Sequence, residues 1–378
     1  MTIVDRYLLF LFLRTFLICF LSFTGLYIVI HLFSHLDELV AISELSGWPT
    51  VFYEFYLPRV ALMFDKTAGI LMLVAAVFSV SLMQRSREMT AIEAAGITKA
   101  RILRPIFVTA LIIIGVTIVN REAWIPRVKK SLVREADTWN NDAQLELMVQ
   151  EDPASGVVLR GEYLFLAERR ISEADVQLPR SLSSQVPRVI SNWAVVEPAT
   201  DEHPAGLWFH QVAKPDNLKL IPSLVTDDGQ TVLFTPYDHP WLKADECFIA
   251  CHFDVEQMAY GNQLANYQTT PQMIAELGKP RRWFGNRLQV GVHSRLLRPF
   301  LDLTLLMLGL PMVIGGLERN VFVSAGICFL IVGAVQLTTI ACETLGATSL
   351  IRPAAMAAWL PFAIFFPLAV VAMRKLKN

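Results

Sequence analysis

Long apolar runs alternate with short polar connections along this chain, and one long polar stretch divides the runs into two groups of three. The runs are Tyr7–Phe33, Val60–Met83, Ile102–Val119, Pro299–Leu317, Val321–Thr344 and Ala354–Met373. A helix needs about 20 apolar residues to cross the hydrocarbon core of a bilayer. The pattern therefore predicts six transmembrane helices. The first run is too long for the apolar region of a signal peptide, so we expect it to be retained.

The polar insert between the two groups has the pattern of β structure. Short segments rich in β-branched and aromatic residues are separated by Pro, Asp, Asn and Gly, which favours strands joined by turns. These segments are Tyr163–Ala167, Val189–Val196, Leu207–Val212, Thr231–Phe234 and Cys247–Phe253. We predict a membrane α-helical protein with six transmembrane helices (3+3) and an inserted all-β domain, jelly-roll or sandwich-like.

The expected domain boundaries follow from the same pattern. Residues 1–126 would hold helices one to three with a short helix at 84–96, residues 127–292 the β domain, and residues 293–378 helices four to six. Thr270 and Pro271 have the residue types of an N-cap followed by a first-turn proline. They predict a helix that leads back to the membrane.

Basic residues in the short connections predict the orientation, because cytoplasmic loops carry an excess of Lys and Arg. One side has Arg6, Arg14, Arg85, Arg87, Lys99, Arg101, Arg104, Arg319, Arg374, Lys375 and Lys377. On the other side, Ser34–Leu57 has no basic residue and 346–353 has only Arg352. We therefore expect both termini and the 84–96 segment in the cytoplasm, and the β domain in the periplasm.

Composition supports a membrane protein and gives no sign of nucleic-acid binding. Hydrophobic residues make up 54% of the chain and charged residues 18%, which is too apolar for a typical soluble protein. The net charge of −1 argues neither for nor against nucleic acid, and the expected partners include none. Of the five cysteines, Cys247 and Cys251 lie in the insert. Four positions along one strand are too far apart for a disulfide, and we expect buried free thiols.

Motifs of catalysis are absent from the sequence. It has no G-x-x-x-x-G-K-[ST] phosphate loop, no H-E-x-x-H and no G-x-S-x-G. The chain therefore cannot hydrolyse ATP through a phosphate loop of its own, and we expect no cofactor. Ionisable residues within the apolar runs are functional candidates, although a structural pair between helices is an equal alternative. They are Asp65, Lys66, Arg298 and Glu343.

The segment from Gln84 to Gly96 is the one polar, helix-competent stretch between the early apolar runs. Met89 and Ile92 fall on one helical face, and Gly96 lies where a helix is usually capped. This pattern predicts a short amphipathic helix, held by a transmembrane helix at each end, that another protein could push. The alternative is an ordinary cytoplasmic loop made basic by topology.

Five short motifs resemble the LptF/LptG family of lipopolysaccharide export permeases, over essentially the whole chain. They are Asp5-Arg6-Tyr7, Leu57-Pro58-Arg59, the stretch 85–97, Ser294-Arg295-Leu-Leu-Arg-Pro299 and Ala358-Trp359-Leu-Pro361. The opening and the ending lean towards the LptG branch. The family's three-plus-three helices around a β insert agree with the architecture predicted above.

The resemblance implies a permease subunit that extracts lipopolysaccharide with energy from a partner. The implied partners are a cytoplasmic LptB-like ABC ATPase dimer, a paralogous LptF/LptG-type permease or second copy, and LptC/LptA-like periplasmic bridge proteins. Glu88 matches the family's acidic residue in the segment that docks in a groove of the ATPase. The expected ATPase-coupling residues are Arg85, Arg87, Glu88, Met89 and Ile92.

A polyanionic, multi-acylated lipid calls for apolar helix faces with a few cations near the outer leaflet. Arg59 aligns with a family basic residue and is the first choice as a phosphate contact. Lys66 is second, and Arg298 and Arg352 follow on position alone.

Two other functions are compatible with the residues. The chain could be a non-transporting envelope assembly scaffold whose β domain binds another protein. It could also be a membrane-embedded lipid-modifying enzyme that uses His31, His35, Asp37 and Glu38 as an interfacial metal cluster, since His31 and His35 share a helical face.

Overall fold

The structure is a computed structural model that describes residues 3–133, 144–147, 149–152, 155–179, 186–200, 203–226, 231–253, 255–278, 285–314, 321–348 and 350–374. The chain divides into two compact units. One comprises Met1–Leu39, Ser46–Leu132 and Tyr267–Asn378, and the other comprises Val40–Leu45 and Val133–Asn266. We call them the helical unit and the β unit.

The helices follow the apolar runs of the sequence. They are α1 (Ile3–Ser34), α2 (Leu36–Ser46), α3 (Trp48–Thr50), α4 (Leu57–Arg85), α5 (Glu88–Ala94), α6 (Lys99–Val119), α7 (Lys129–Val133), α8 (Val255–Asn266), α9 (Thr270–Leu277), α10 (Gly285–Ile314), α11 (Val321–Ala347) and α12 (Ala354–Arg374). Two π-helical segments, π1 (Val51–Tyr56) and π2 (Asn120–Trp124), lie before α4 and after α6.

Six helices among the described residues are long and apolar enough to cross a membrane, which confirms the predicted number. The fourth span differs most from its prediction, because α10 begins at Gly285 rather than Pro299. Its first turns carry Arg287, His293 and Arg295, which lower the hydropathy without opposing a helix. Three of the basic residues used for orientation lie outside the described residues: Arg319, Lys375 and Lys377.

The core of the helical unit is built around α4. Its buried residues come from α1, α4, α5, α6, α10 and α11. In the most apolar window of α4, 61% of the residues are buried, against 11% in α1 and 11% in α11. The chain itself therefore leaves the apolar faces of α1 and α11 uncovered, so that lipid or another protein must cover them.

Within the described residues, the strands of the β unit form one antiparallel sheet. They are β1 (Gln144–Glu146), β2 (Gln150–Glu151), β3 (Val158–Arg160), β4 (Tyr163–Phe165), β5 (Arg170–Gln177), β6 (Arg188–Glu197), β7 (Gly206–Lys214), β8 (Leu224–Val225), β9 (Thr231–Phe234) and β10 (Cys247–Ala250). The order is β1-β4-β5-β6-β7-β10-β9-β8, with β2 and β3 paired beside β5. The inserted β domain is thus confirmed.

One face of the sheet carries the apolar core of the β unit, with Leu207, Phe209, Cys247 and Ile249 among its buried residues. Cys247 and Cys251 are both buried and free, as predicted. Burial raises the pKa of both thiols, and the nearby Asp152 carboxylate adds to this effect at Cys251. The protonated thiols are therefore poor nucleophiles.

The opposite face of the sheet contains a buried carboxylate, Glu246, that predicts a pH dependence of stability. Its oxygens accept hydrogen bonds from Trp208 Nε1 (3.3 Å), His210 Nδ1 (3.0 Å) and Lys243 Nζ (3.1 Å). Burial alone would raise the pKa of Glu246, but the hydrogen bonds from Lys243 and His210 outweigh it and lower the pKa.

Because the folded-state pKa of Glu246 is depressed, its contribution to stability is present above the unfolded pKa and is lost as pH falls through the folded pKa. We expect the thermal midpoint of the full chain, followed by tryptophan fluorescence, to fall between about pH 5 and pH 3. Glu246→Gln should be less stable at neutral pH and should flatten this part of the pH profile. An unchanged slope would contradict the assignment.

Helix α9 begins one residue earlier than the sequence indicated. Thr269, rather than Thr270, is the N-cap, and its hydroxyl accepts a hydrogen bond from the Gln272 backbone N–H at 3.3 Å. The Gln272 side chain in turn accepts from the Thr269 backbone N–H at 3.1 Å, which completes a capping box. Thr269 is the N-cap rather than Thr270 because Gln272 lies three residues after it, the spacing that a capping box requires.

Candidate functional site

The candidate coupling segment is the connection between α4 and α6. Helix α4 ends at Arg85, and Arg87 has a left-handed backbone (φ 58°) that interrupts the helix. Helix α5 then covers Glu88–Ala94, within the predicted segment 84–96. Gly96 has φ 80°, and its N–H donates to the Glu93 carbonyl at 2.9 Å, as expected of a residue that ends a helix.

The two apolar residues predicted for coupling fix α5 to the helical unit. Met89 is buried (5% exposed) and belongs to the same core as Leu8 and Met83, and Ile92 packs against that core. Met89 is therefore not available at the surface for a partner in this conformation, and Ile92 is partly covered. These contacts attach α5 to a core that includes α1, α4 and α6.

The charged residues of the segment lie at or near the surface. Arg85 and Arg87 are exposed, and Glu88 is half-buried at the first residue of α5, where the helix dipole favours a carboxylate. The Tyr7 side chain of α1 forms a hydrogen bond with Glu88. Glu93 pairs with Lys99 at 3.9 Å. The segment therefore presents two arginines and an acid held in place by Tyr7.

The first-choice substrate cation, Arg59, is bound by its own chain. It is 9% exposed, and its guanidinium carbon lies 3.4 Å from the centre of the Phe55 ring. Its Nη1 donates to the Phe55 carbonyl at 2.9 Å and to the Ser131 carbonyl at 3.5 Å. A lipid phosphate would have to compete with these carbonyls for the guanidinium.

The other three predicted substrate cations differ in accessibility. Lys66 is exposed on α4, and Arg352 is exposed between α11 and α12. The Arg298 side chain is 37% exposed and already contacts Asp65, with Nη1 at 3.9 Å from Oδ2. Its Nη2 donates to the carbonyls of Asp65 and Lys66 at 3.2 and 3.1 Å.

Asp65 forms an ion pair between helices, which was one of its two predicted roles. Its partner is Arg121 of π2, whose Nε donates to Oδ1 at 2.8 Å, with both side chains 9% exposed. The sequence analysis did not select Arg121 or Asp302 as site residues. The available signal was that Asp65, Arg121 and Asp302 all lie within spans, where charge is rare.

The proposed metal cluster at the C-terminal end of α1 has another geometry. The rings of His31 and His35 stack with centroids 4.4 Å apart, and the Tyr56 hydroxyl lies 3.5 Å from His31 Nδ1. The part of the chain that the structure describes has no group of three or more His, Cys, Asp or Glu side chains placed to hold a metal ion. The stack therefore gives no support to a metal-dependent enzyme.

Six membrane-spanning helices, an inserted β sheet and a short helix pinned between two spans together define a multi-pass membrane protein of the transporter-permease class. The family model described as lipopolysaccharide export system permease LptF/LptG matches residues 6–176 and 243–375. The chain belongs to this family and is thus a lipopolysaccharide export permease of the inner membrane, a transporter subunit rather than an enzyme. The match covers the LptF and LptG branches alike. A comparison with curated proteins gave no match.

Proposed function

We propose that this permease works in an ATP-driven machine in which a cytoplasmic ABC ATPase dimer of the LptB type binds α5. The proposal rests on how α5 is attached to the rest of the helical unit. Met89 and Ile92 anchor the helix in the core, while Arg85, Arg87 and Glu88 remain near the surface. A partner that holds these charged groups would move α4 and α6 as it closes on ATP. The absence of a phosphate-loop motif in the sequence agrees with an external source of energy.

The proposed orientation places the termini and α5 in the cytoplasm and the β unit in the periplasm. Basic residues at the ends of α4, α6 and α12 support it, because Arg85, Lys99, Arg101, Arg104 and Arg374 share one side of the predicted topology. In this orientation the β unit would pass lipid to LptC/LptA-like bridge proteins.

The partner in the membrane would be a paralogous LptF/LptG-type permease or a second copy of the chain. The low burial of α1 and α11 supports a partner on these helices. Two permeases facing each other would enclose an apolar chamber for the acyl chains of lipopolysaccharide.

The exposed cations Lys66 and Arg352 are the first choices as phosphate contacts in this proposal. Arg298 and Arg59 are weaker candidates, because carbonyl groups and, for Arg298, the Asp65 carboxylate already occupy their donors. This order reverses the ranking made from the sequence, in which Arg59 came first.

A lipid-retention measurement tests the new order. We expect Lys66→Ala and Arg352→Ala each to lower the lipopolysaccharide that co-purifies with the complex by about three- to tenfold, the value of one charge-assisted contact. Lys219→Ala, an exposed lysine of the β unit, is the matched control. Equal retention in Lys66→Ala, Arg352→Ala and the control would remove both residues from the site.

The central test is affinity purification of the chain from gently solubilised membranes. We expect an ATPase with a phosphate loop to co-purify at two copies per pair of permeases, and a double Arg85→Ala, Arg87→Ala variant to lose it. Purification without any ATPase would favour the envelope-scaffold alternative.

A further inference from the structure

One residue per turn of α4 contacts a neighbouring helix over four successive turns. The residues are spaced by four, so they form a single stripe along the helix: Ala61, Asp65, Gly69 and Leu73. The π2 segment, which follows α6, contacts Ala61 and Asp65. Helix α10 contacts Asp65, Gly69 and Leu73. The sequence motifs of the family resemblance include none of the four.

The contacts with the outer end of α6 come from π2. Asn120 Nδ2 donates to the Ala61 carbonyl at 2.8 Å, and Arg121 Nε donates to Asp65 Oδ1 at 2.8 Å. Consecutive residues of an α-helix point about 100° apart. In π2, however, the consecutive residues Asn120 and Arg121 both contact α4, on two successive turns.

The contacts with α10 combine charge and close approach. Arg298 donates to the carbonyls of Asp65 and Lys66 and lies 3.9 Å from the Asp65 carboxylate. The Asp302 carboxylate occupies the place where a side chain at Gly69 would begin. One helical turn further along α4, Leu73 packs in the same way into the space left by Gly309.

The charged residues of this arrangement come from three helices and depend on one another. The Asp65 carboxylate is shared by arginines from two other helices, and Asp302 interacts electrostatically with Arg298 and Arg121. Two acids and two arginines thus lie together inside the membrane-spanning region, where Arg295 of α10 and Glu122 of π2 add one further charge of each sign. Withdrawing any one helix would leave unpaired charge in a medium of low dielectric, which is strongly unfavourable.

We propose that Asp65, Arg121 and Arg298 form an interhelical clamp that transmits the displacement of α5 to α10. The clamp joins α4 and α6, the two helices that flank α5, to the first helix after the β unit. Its three residues are positioning residues that act through helix geometry. This inference rests on the proposed function, since it assumes that a partner moves α5.

The test uses the full chain in its assembled complex in lipid nanodiscs, with Asp65→Asn, Asp65→Glu and, as the control, Glu54→Gln, which neutralises an exposed carboxylate of π1. The first readout is lipid released per ATP hydrolysed. The second is the distribution of distances between spin labels, introduced as non-canonical amino acids at the exposed residues Leu82 of α4 and Leu296 of α10. The second readout requires no ATP and no partner.

We expect Asp65→Asn to lower the lipid released per ATP by about tenfold, within the usual range of coupling energies. ATP hydrolysis itself should continue, and the label distribution should broaden. Asp65→Glu, which keeps the charge, should restore both readouts towards those of the Glu54→Gln control. Equal release per ATP in Asp65→Asn and the control would overturn the proposal, and so would equal widths of the distance distributions.

The two readouts separate this proposal from the function it rests on. If the unaltered complex releases no lipid on ATP addition, the proposed function fails. The widths then still decide whether Asp65 holds α4 and α10 together: a broader distribution in Asp65→Asn supports the clamp, and an equal one overturns it.

Discussion

Glu88→Lys is expected to uncouple ATP hydrolysis from lipopolysaccharide movement without unfolding the protein. The substitution places a cation at the first residue of α5, where the helix dipole favours an anion, and removes the acceptor of the Tyr7 hydrogen bond. A partner arginine or backbone donor would then meet a like charge or an unfilled site. We expect lipid release in reconstituted vesicles to fall at least tenfold, as for loss of a buried charge-assisted contact.

Two controls make this result specific. Glu93→Lys reverses the other carboxylate of α5, which is paired only loosely with Lys99 (3.9 Å), and should release lipid nearly as well as the unaltered chain. Tyr7→Phe removes the hydrogen bond alone and separates loss of the tether from loss of the carboxylate. Normal export by Glu88→Lys would refute the coupling role of α5.

Arg121→Met is expected to have the largest effect on stability. It leaves the Asp65 carboxylate, 9% exposed, without its 2.8 Å partner, and Arg298 remains at 3.9 Å. Removing one member of a buried ion pair costs about 3–5 kcal/mol, because the remaining charge stays buried. The free energy of unfolding in detergent micelles should fall by that amount.

The double variant Asp65→Leu, Arg121→Met is the decisive comparison. It removes both charges, so most of the lost stability should return, to within about 1–2 kcal/mol of the unaltered chain. Lys66→Met, a change of the same kind at an exposed position, should alter stability by less than about 0.5 kcal/mol. A double variant as unstable as Arg121→Met would mean that Asp65 is not the group stranded by the single substitution.

Much of the helical architecture could be predicted from the sequence, because crossing a bilayer fixes both length and polarity of a helix. The start of α10 could not, since the polar residues Arg287 and Arg295 lower the hydropathy of its first turns. The periodicity of Met89 and Ile92 correctly indicated one apolar face. It did not indicate that this face packs into the protein's own core.

Hydrophobic periodicity does not predict which helices pair with each other. Asp65 and Arg121 are 56 positions apart, and neither hydropathy nor spacing specifies which helices become neighbours. The sequence also did not show that the Arg59 guanidinium is already occupied. Its nearest acceptor is the backbone carbonyl of Phe55, one turn earlier in π1. A cation at the end of a span looks identical in the sequence whether its donors are free or occupied.

Among the strands, β5 illustrates why alternation can fail as a signal. Glu173 has a left-handed backbone (φ 48°), although the pairing register with β6 is the same on both sides of it, where Ser172 pairs with Trp193 and Ala174 pairs with Ser191. This local change of the backbone shifts the inward-facing residues by one position, so that buried Ile171 and Ala174 are three apart instead of two. A period-two search therefore passes over this strand.

The glycines at 69 and 309 mean that α4 and α10 approach each other at two points where an added methyl group would force a neighbouring side chain to move. Alanine at 69 would collide with the Asp302 carboxylate, and alanine at 309 with the Leu73 side chain. Even a glycine-to-alanine substitution at either position would therefore disturb the packing of α4 against α10. Engineering aimed at a more rigid permease must accordingly leave both sites untouched and look for stabilising substitutions on the lipid-facing surfaces instead.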